Sequence, residues 1–233
     1  MKKAIVTGAT SGIGQAIADR LLKVGYQVYG FGRDFSKSIF AAGDRSGFIP
    51  VAGDITDRSF LKDQVGNINK NHDIDLLVNA AGVGYYGLHE ELNCDSIHQL
   101  VATNIEAPMQ LTNMLLRDIK KNSGTIVFIS SVTAQGRNPH GAAYGATKAA
   151  LTSFAHSIFD EARKLGVRVI NIEPDMTATG LYRNADFEAD TSEGACLFAE
   201  DVADTFMYAI EARDGVVVND IVVRPQLHRI KRK

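Results

Sequence analysis

Three side chains in the middle of the sequence could carry acid–base chemistry at a carbonyl or an alcohol. Tyr144 and Lys148 are four residues apart, and Ser131 stands thirteen residues before the tyrosine, at the end of an apolar run. Residues four apart lie on one face of a helix, where an ammonium stabilises a phenolate whose free pKa is about 10. We expect Tyr144 to exchange a proton with a substrate oxygen that Ser131 polarises. For the tyrosine and lysine alone, an exposed helical pair without a chemical role is the alternative.

A glycine-rich stretch near the N-terminus, "TGATSGIG", is a candidate phosphate site. A short apolar run precedes it and apolar residues at helical spacing follow it, so the glycines are predicted to lie on a strand-to-helix turn. The free N–H groups at the start of a helix bind phosphate, and glycine lets the ligand approach the backbone. Gly8, Gly12 and Gly14 are spaced G-x-x-x-G-x-G, which is not the usual dinucleotide fingerprint. An ordinary tight turn of an α/β domain is therefore the alternative.

The elements that must position these residues alternate along the chain. The apolar runs that predict strands are KAIVT, QVYGF, GFIPV, IDLLVN, GTIVFIS, VRVINI and VVVNDIVV. Stretches with helical periodicity lie between most of them, which predicts a doubly wound α/β Rossmann fold with a seven-stranded parallel sheet and helices on both faces. The length of 233 residues predicts one domain over 1–233. The irregular segment of about 173–199 is predicted to be a substrate lid.

Composition and charge argue against several other classes of protein. The chain has 25 Lys and Arg against 27 Asp and Glu, which gives no general attraction to nucleic acid or to an anionic membrane. The basic ending "RPQLHRIKRK" is predicted to be a solvated or subunit-contacting end. Cys94 and Cys196 are far apart and lack neighbours at zinc-ligand spacing, so we expect two buried thiols, no disulfide and no metal site. Without a signal peptide or a membrane-spanning run, we expect a cytoplasmic protein.

Four motifs in this order resemble the short-chain dehydrogenase/reductase family over essentially the whole chain. "TGATSGIG" is similar to its cofactor loop TGxxxGIG, "NAAG" to its NNAG, "ISS" to its serine strand and "YGATK" to its YxxxK. The resemblance implies that Tyr144 is the proton donor and that Lys148 tunes it and binds the nicotinamide ribose. The thirteen-residue gap to Tyr144 matches Ser131, rather than Ser130, to the catalytic serine. Asn104 resembles the asparagine that holds a water against the lysine.

The resemblance also implies a nicotinamide cofactor and the residues that contact it. Gly32 occupies the position where an acidic residue would bind a free ribose hydroxyl, and Arg33 offers a donor fork for a 2′-phosphate, which predicts NADP(H) over NAD(H). A salt bridge between Arg33 and Asp34 is the alternative. Asp54 resembles the adenine contact, with a turn aspartate as the alternative. The implied cofactor contacts are Gly8, Thr10, Ser11, Gly12, Ile13, Gly14, Arg33, Asp54, Ile55, Asn79, Ala80, Ala81, Gly82, Tyr144, Lys148, Pro174 and Thr179.

Three positions depart from the family pattern. Ala80 replaces the second asparagine of NNAG, which is expected to remove one structural hydrogen bond, and Ala107 replaces a frequent glycine. Asp175 stands where the family usually has the glycine of a "PG" turn, so the motif does not predict the path of the lid after Pro174. Thr179 matches the threonine that binds the nicotinamide carboxamide.

The implied function is hydride transfer between NADP(H) and the carbonyl or secondary alcohol of a small hydroxy acid, ketone or aldehyde. The alternatives are a 3-oxoacyl-thioester reductase and a regulator that senses a dinucleotide without turnover. The ending "VVVNDIVVRP" resembles the subgroup of 3-hydroxy acid and serine dehydrogenases. Tyr85 and Tyr86 are expected near the substrate, and Arg137, His140 or Arg183 could bind its carboxylate. The expected partners are a small-molecule substrate and a second copy of the chain, in a homodimer or homotetramer, with no nucleic acid or membrane.

Overall fold

The computed structural model describes residues 1–41 and 45–233, and its main feature is one parallel sheet. Seven strands form this sheet in the order β3-β2-β1-β4-β5-β6-β8, which confirms the predicted doubly wound Rossmann fold. In its centre, Ile5 of β1 lies opposite Tyr29 of β2 and Leu77 of β4. The strands are β1 (Lys3–Thr7), β2 (Gln27–Gly32), β3 (Phe48–Ala52), β4 (Leu76–Asn79), β5 (Thr125–Ile129), β6 (Arg168–Pro174), β7 (Phe187–Ala189), β8 (Asp220–Val223) and β9 (Ile230–Arg232).

Helices cover both faces of the sheet because its strands are apolar on both sides. In β1, Ile5 packs into the core formed with α2, α4 and α5, whereas Ala4 and Val6 pack into the core formed with α1 and α6. The helices are α1 (Gly12–Lys23), α2 (Arg58–Ile68), α3 (Cys94–Val101), α4 (Ala107–Lys121), α5 (Ala142–Ala162) and α6 (Ala199–Ile210). In the two described ranges, no helix is both long enough and apolar enough to cross a bilayer.

The C-terminal end of the chain differs from its prediction. The run VVVNDIVV predicts a strand of eight residues, but β8 comprises only Asp220–Val223. The basic ending is not simply solvated, because β9 pairs antiparallel with β7, a short strand in the segment that follows β6. That segment also carries a 3-10 helix at Gly180–Asn184. Cys196 is buried as predicted, whereas Cys94 is exposed because it lies in the first turn of α3 on the surface.

Candidate active site

The predicted site residues surround one cleft at the carboxyl ends of the parallel strands. The cleft has a volume of about 450 Å³ and runs from the turn before α1 to the segment after β6. Of the predicted catalytic and cofactor-binding residues, all but Asn79 and Asn104 line it. Those that line it are Gly8, Thr10, Ser11, Gly12, Ile13, Gly14, Arg33, Asp54, Ile55, Ala80, Ala81, Gly82, Ser131, Tyr144, Lys148, Pro174 and Thr179.

The turn between β1 and α1 has the shape of an anion site. Gly8 and Gly12 have φ of +69° and +54°, which favours glycine, and a side chain at Gly14 would overlap the carbonyl oxygen of Gly8. Ser11 precedes α1 without capping it through its side chain, and no acidic residue lies in the first turn. The N–H groups of that turn therefore remain available to an anion. These features fit the pyrophosphate of a dinucleotide.

Ser131, Tyr144 and Lys148 meet near the middle of the cleft. The Tyr144 side chain comes from the first turn of α5; its burial raises the pKa of the hydroxyl, while the nearby hydroxyls of Ser131 and Tyr86 lower it. The Lys148 ammonium lies 5.7 Å from the centre of the Tyr144 ring and donates a hydrogen bond of 2.9 Å to the carbonyl oxygen of Ile129. Burial lowers the pKa of Lys148 to about 8. Burial thus favours the uncharged form of both groups.

The two serines at the end of β5 have different surroundings. The Ser130 hydroxyl donates to the carbonyl oxygen of Lys148 at 3.0 Å and lies 2.8 Å from the hydroxyl of Thr152. Thr152 in turn donates to the buried carboxylate of Glu173 at 2.9 Å. Ser130 is therefore held in a network between β6 and α5, whereas the Ser131 hydroxyl accepts a hydrogen bond from the N–H group two residues later.

Asn104 lies behind the cleft wall rather than in the cleft. It is fully buried in the segment between α3 and α4, where its amide accepts from Val83 N at 2.9 Å and donates to Val83 O at 3.0 Å. The amide also donates to the Thr147 hydroxyl at 3.1 Å. A side-chain carbon at Gly82 would lie 3.6 Å from Asn104 Oδ1 and 3.7 Å from Lys148 Nζ. The amide and the ammonium therefore both approach Gly82.

The far end of the cleft carries the positive charge of Arg33, which has no ion-pair partner in the described ranges. The Arg33 side chain is exposed and, among the residues that the structure describes, forms no ion pair with Asp34. The carboxylate of Asp34 instead accepts hydrogen bonds of 2.8 and 2.9 Å from the N–H group and hydroxyl of Ser36, which lower its pKa. A side chain at Gly32 would overlap the methyl group of Thr10. An acidic side chain at this position would therefore require the Thr10 side chain to move.

Two other predicted cofactor contacts have mixed surroundings. Asp54 lines the cleft, yet its Oδ1 also accepts hydrogen bonds from the N–H group and hydroxyl of Thr56, as a turn aspartate does. Asn79 is 1% exposed at the end of β4, and its amide has no hydrogen-bond partner among the described residues. The neighbouring N–H group of Ala80 donates to the Thr7 hydroxyl at 3.0 Å, so the cleft wall continues through the alanine.

Comparisons with known proteins give the family. The family model described as short chain dehydrogenase matches residues 2–189. This chain belongs to the short-chain dehydrogenase family. It is 32% identical over 230 residues to a serine 3-dehydrogenase of Rhizobium radiobacter, covering 95% of this chain and 92% of that protein. It is 30% identical over 236 residues to a probable NADP-dependent dehydrogenase of Haemophilus influenzae, with coverage of 95% and 92%.

Solved structures of other short-chain dehydrogenases have the same fold. A metagenomic short-chain oxidoreductase in complex with NADP superimposes with a TM-score of 0.81 at 28% identity, covering 97% of this chain and 98% of that chain. A serine dehydrogenase complexed with NADP+ gives a TM-score of 0.84 at 22% identity, with coverage of 95% and 94%. Because the chain belongs to this family, it is an oxidoreductase.

Three aromatic side chains pack together beside Tyr144 at the edge of the short-chain dehydrogenase's site, and of these only Tyr182 lines the cleft. The ring of Tyr86 lies 5.5 Å from the ring of Tyr144, 5.8 Å from Tyr182 and 5.2 Å from Phe187, measured between centroids. Tyr182 and Phe187 are themselves 5.4 Å apart. We call Tyr86, Tyr182 and Phe187 the aromatic wall. Two of its three members come from the segment between β6 and α6.

The cations expected near the substrate of this short-chain dehydrogenase lie apart. Arg183 lines the cleft, whereas Arg137 and His140 do not. Sequence reasoning missed the lining residues that come shortly before Asn104, although they lie within six residues of it and could have been found from it. They are His98 and Gln99 on α3 and Thr103 in the segment between α3 and α4.

Proposed function

We propose that this short-chain dehydrogenase depends on NADP(H) and transfers a hydride between the nicotinamide and the carbonyl or secondary alcohol of a small substrate. The observation that carries the proposal is the meeting of Ser131, Tyr144 and Lys148 in the cleft that also contains the glycine turn. A binding module would need only the turn. A serine, a buried phenol and a buried ammonium around one point are what proton transfer to a carbonyl oxygen requires.

Each of these residues has a proposed part in the reduction. Bound NADPH would supply the hydride. The Tyr144 hydroxyl donates its proton to the carbonyl oxygen, and the Ser131 hydroxyl donates a hydrogen bond to the same oxygen. The Lys148 ammonium stabilises the Tyr144 phenolate that remains, at a buried point where the charge is poorly screened by water. Asn104 positions the wall beside them through both of its hydrogen bonds to Val83.

The preference for NADP(H) rests on Arg33 and Gly32. The Arg33 guanidinium forms no ion pair with any described residue, and Gly32 places no acid at the position that would repel a 2′-phosphate. A relative named as NADP-dependent supports the same preference. The resemblance to serine 3-dehydrogenases supports a small hydroxy acid among the candidate substrates.

The first experiment is the loss of NADPH and NADH absorbance over a panel of small aldehydes, diketones, β-keto acids and acyl thioesters. We expect turnover with NADPH well above that with NADH. Tyr144→Phe is the control, since it should bind NADPH normally, as followed by cofactor fluorescence, and lose turnover. Full turnover by Tyr144→Phe would overturn the mechanism. Much higher activity on acyl thioesters would favour a 3-oxoacyl-thioester reductase, and tight cofactor binding without any reduction would favour a sensor.

A further inference from the structure

The carboxylate of Asp175 is a buried anchor for the C-terminal segment. Asp175 directly follows β6, and its side chain is 6% exposed. It accepts a hydrogen bond of 3.2 Å from the guanidinium of Arg224 and lies 2.9 Å from the imidazole of His228. Both partners lie on residues 224–233, which we call the C-terminal strap. This contact occupies the position where the family pattern has a glycine, so it belongs to this chain's own sequence.

Beyond the anchor, the C-terminal strap is hydrogen-bonded to the segment between β6 and α6, the first part of which lines the cleft. The N–H groups of Leu227 and Arg229 donate to carbonyl oxygens of Gly194 and Ala195 at 2.8 and 2.9 Å. β9 then pairs with β7, and the Lys233 ammonium donates to two carbonyl oxygens near the 3-10 helix, at 2.7 and 3.1 Å. Backbone pairing of this extent holds both segments as one unit.

This unit contains Tyr182 and Phe187, whose rings lie beside that of Tyr86, which in turn lies beside that of Tyr144. Phe187 is the first residue of β7 and lies opposite Arg232 of the strap. Tyr182 belongs to the 3-10 helix, and its carbonyl oxygen accepts from Lys233. Among the described strands β7 pairs only with β9, so the strap supplies the strand pairing of Phe187, while both rings also pack against Met176, Ala189 and Cys196. The position of the wall therefore depends in part on the strap.

We propose that Asp175 is a positioning residue and that, by fastening the C-terminal strap, it places Tyr182, which lines the cleft, to contact the substrate's apolar part, with Phe187 packed behind it. The role in substrate binding rests on the proposed function, whereas the fastening of the strap does not. Loss of the anchor should loosen the wall while leaving the glycine turn and Arg33 in place. The affinity for the carbonyl substrate should then fall more than the affinity for NADPH, because Asp175 and Thr179 also line the cleft while the glycine turn and Arg33 hold the rest of the cofactor.

The fastening is tested without any turnover by trypsin cleavage of the full-length protein. Asp175→Asn keeps the shape of the side chain and removes its charge. We expect cleavage after Arg229, followed by mass spectrometry, to be about tenfold faster than in the wild type, because local opening exposes the strap. Asp204→Asn is the matched control, since it breaks an exposed Asp–Arg ion pair between α6 and α1, away from the strap. Equal cleavage of both variants and the wild type would overturn the fastening.

The effect on the substrate is tested by steady-state kinetics with the best carbonyl compound of the panel. For Asp175→Asn we expect the substrate KM to rise up to about tenfold and the NADPH KM to stay within about twofold. A chain ending at His228 keeps the anchor but lacks β9, and it should show the same split. Equal increases in both KM values, or no increase in either, would overturn the positioning role. If the wild type shows no turnover on the panel, the proposed function is refuted. The trypsin experiment then still tests the fastening by itself.

Discussion

Replacing Arg33 with glutamine tests the cofactor preference most directly. Hydrogen bonds to charged groups contribute about 1.5 to 3 kcal/mol each, but exposed charges are screened by solvent and counter-ions. Because the Arg33 side chain is exposed, we take the lower end of that range, which corresponds to about a tenfold loss of affinity. We therefore expect Arg33→Gln to raise the Kd for NADPH about tenfold and to leave the Kd for NADH within about twofold.

Titration calorimetry with both cofactors at low and high salt measures this difference. The advantage of NADPH in the wild type should shrink as salt screens the charge, and Arg33→Gln should show little of that salt dependence. Lys37→Gln is a control, since it removes a nearby exposed cation outside the cleft. An equal loss of affinity for NADPH and NADH in Arg33→Gln would refute a contact with the 2′-phosphate, as would no loss for either.

Three further substitutions test the buried groups. Lys148→Met should raise the free energy of unfolding at pH 7 by about 1 to 3 kcal/mol, because burial lowers the pKa of the lysine from 10.5 to about 8. As the pH rises from about 8 to 10.5, the wild type should become as stable as the variant. Equal urea midpoints of the two proteins at pH 7 would contradict this expectation. Gly14→Ala should abolish NADPH binding, whereas Gly66→Ala, a helix position open to solvent, should bind normally and unfold at higher urea concentration. Tyr86→Phe should move the rising limb of the pH–rate profile for alcohol oxidation to higher pH, since the Tyr86 hydroxyl lowers the pKa of Tyr144, and an unmoved limb would contradict that interaction.

Elements with a strong local signal could be predicted from the sequence. The central strands β1, β4 and β5 are largely apolar runs, because a strand covered on both faces must bury both sets of its side chains. The glycine turn and the pair of Tyr144 and Lys148 could be found because each lies on one local element, whereas Ser131 was matched through the thirteen-residue gap that the family shows before its tyrosine. The exposed Arg33 at the end of β2 could be placed at the cleft edge for the same reason, since ligands bind at the carboxyl ends of parallel strands.

The features that escaped prediction depend on contacts between distant residues. β7 and β9 have three residues each, and β9 is mostly charged, so neither carries a periodicity that indicates a strand. Their pairing joins residues more than forty positions apart. Asp175 could be recognised as unusual, but nothing local shows that its partners are Arg224 and His228. The exposure of Cys94 likewise depends on how α3 packs.

The contact between Thr10 and Gly32 constrains how this protein could change in evolution. An aspartate at position 32 is the simplest route to the other nicotinamide cofactor, yet its Cβ would overlap the Thr10 methyl group. Thr10→Ser would remove that methyl group and keep the hydroxyl. The two substitutions therefore have a favoured order, with position 10 changing first, and the aspartate would be harmful in one genetic background and useful in the other. A library that varies position 32 alone would miss this route.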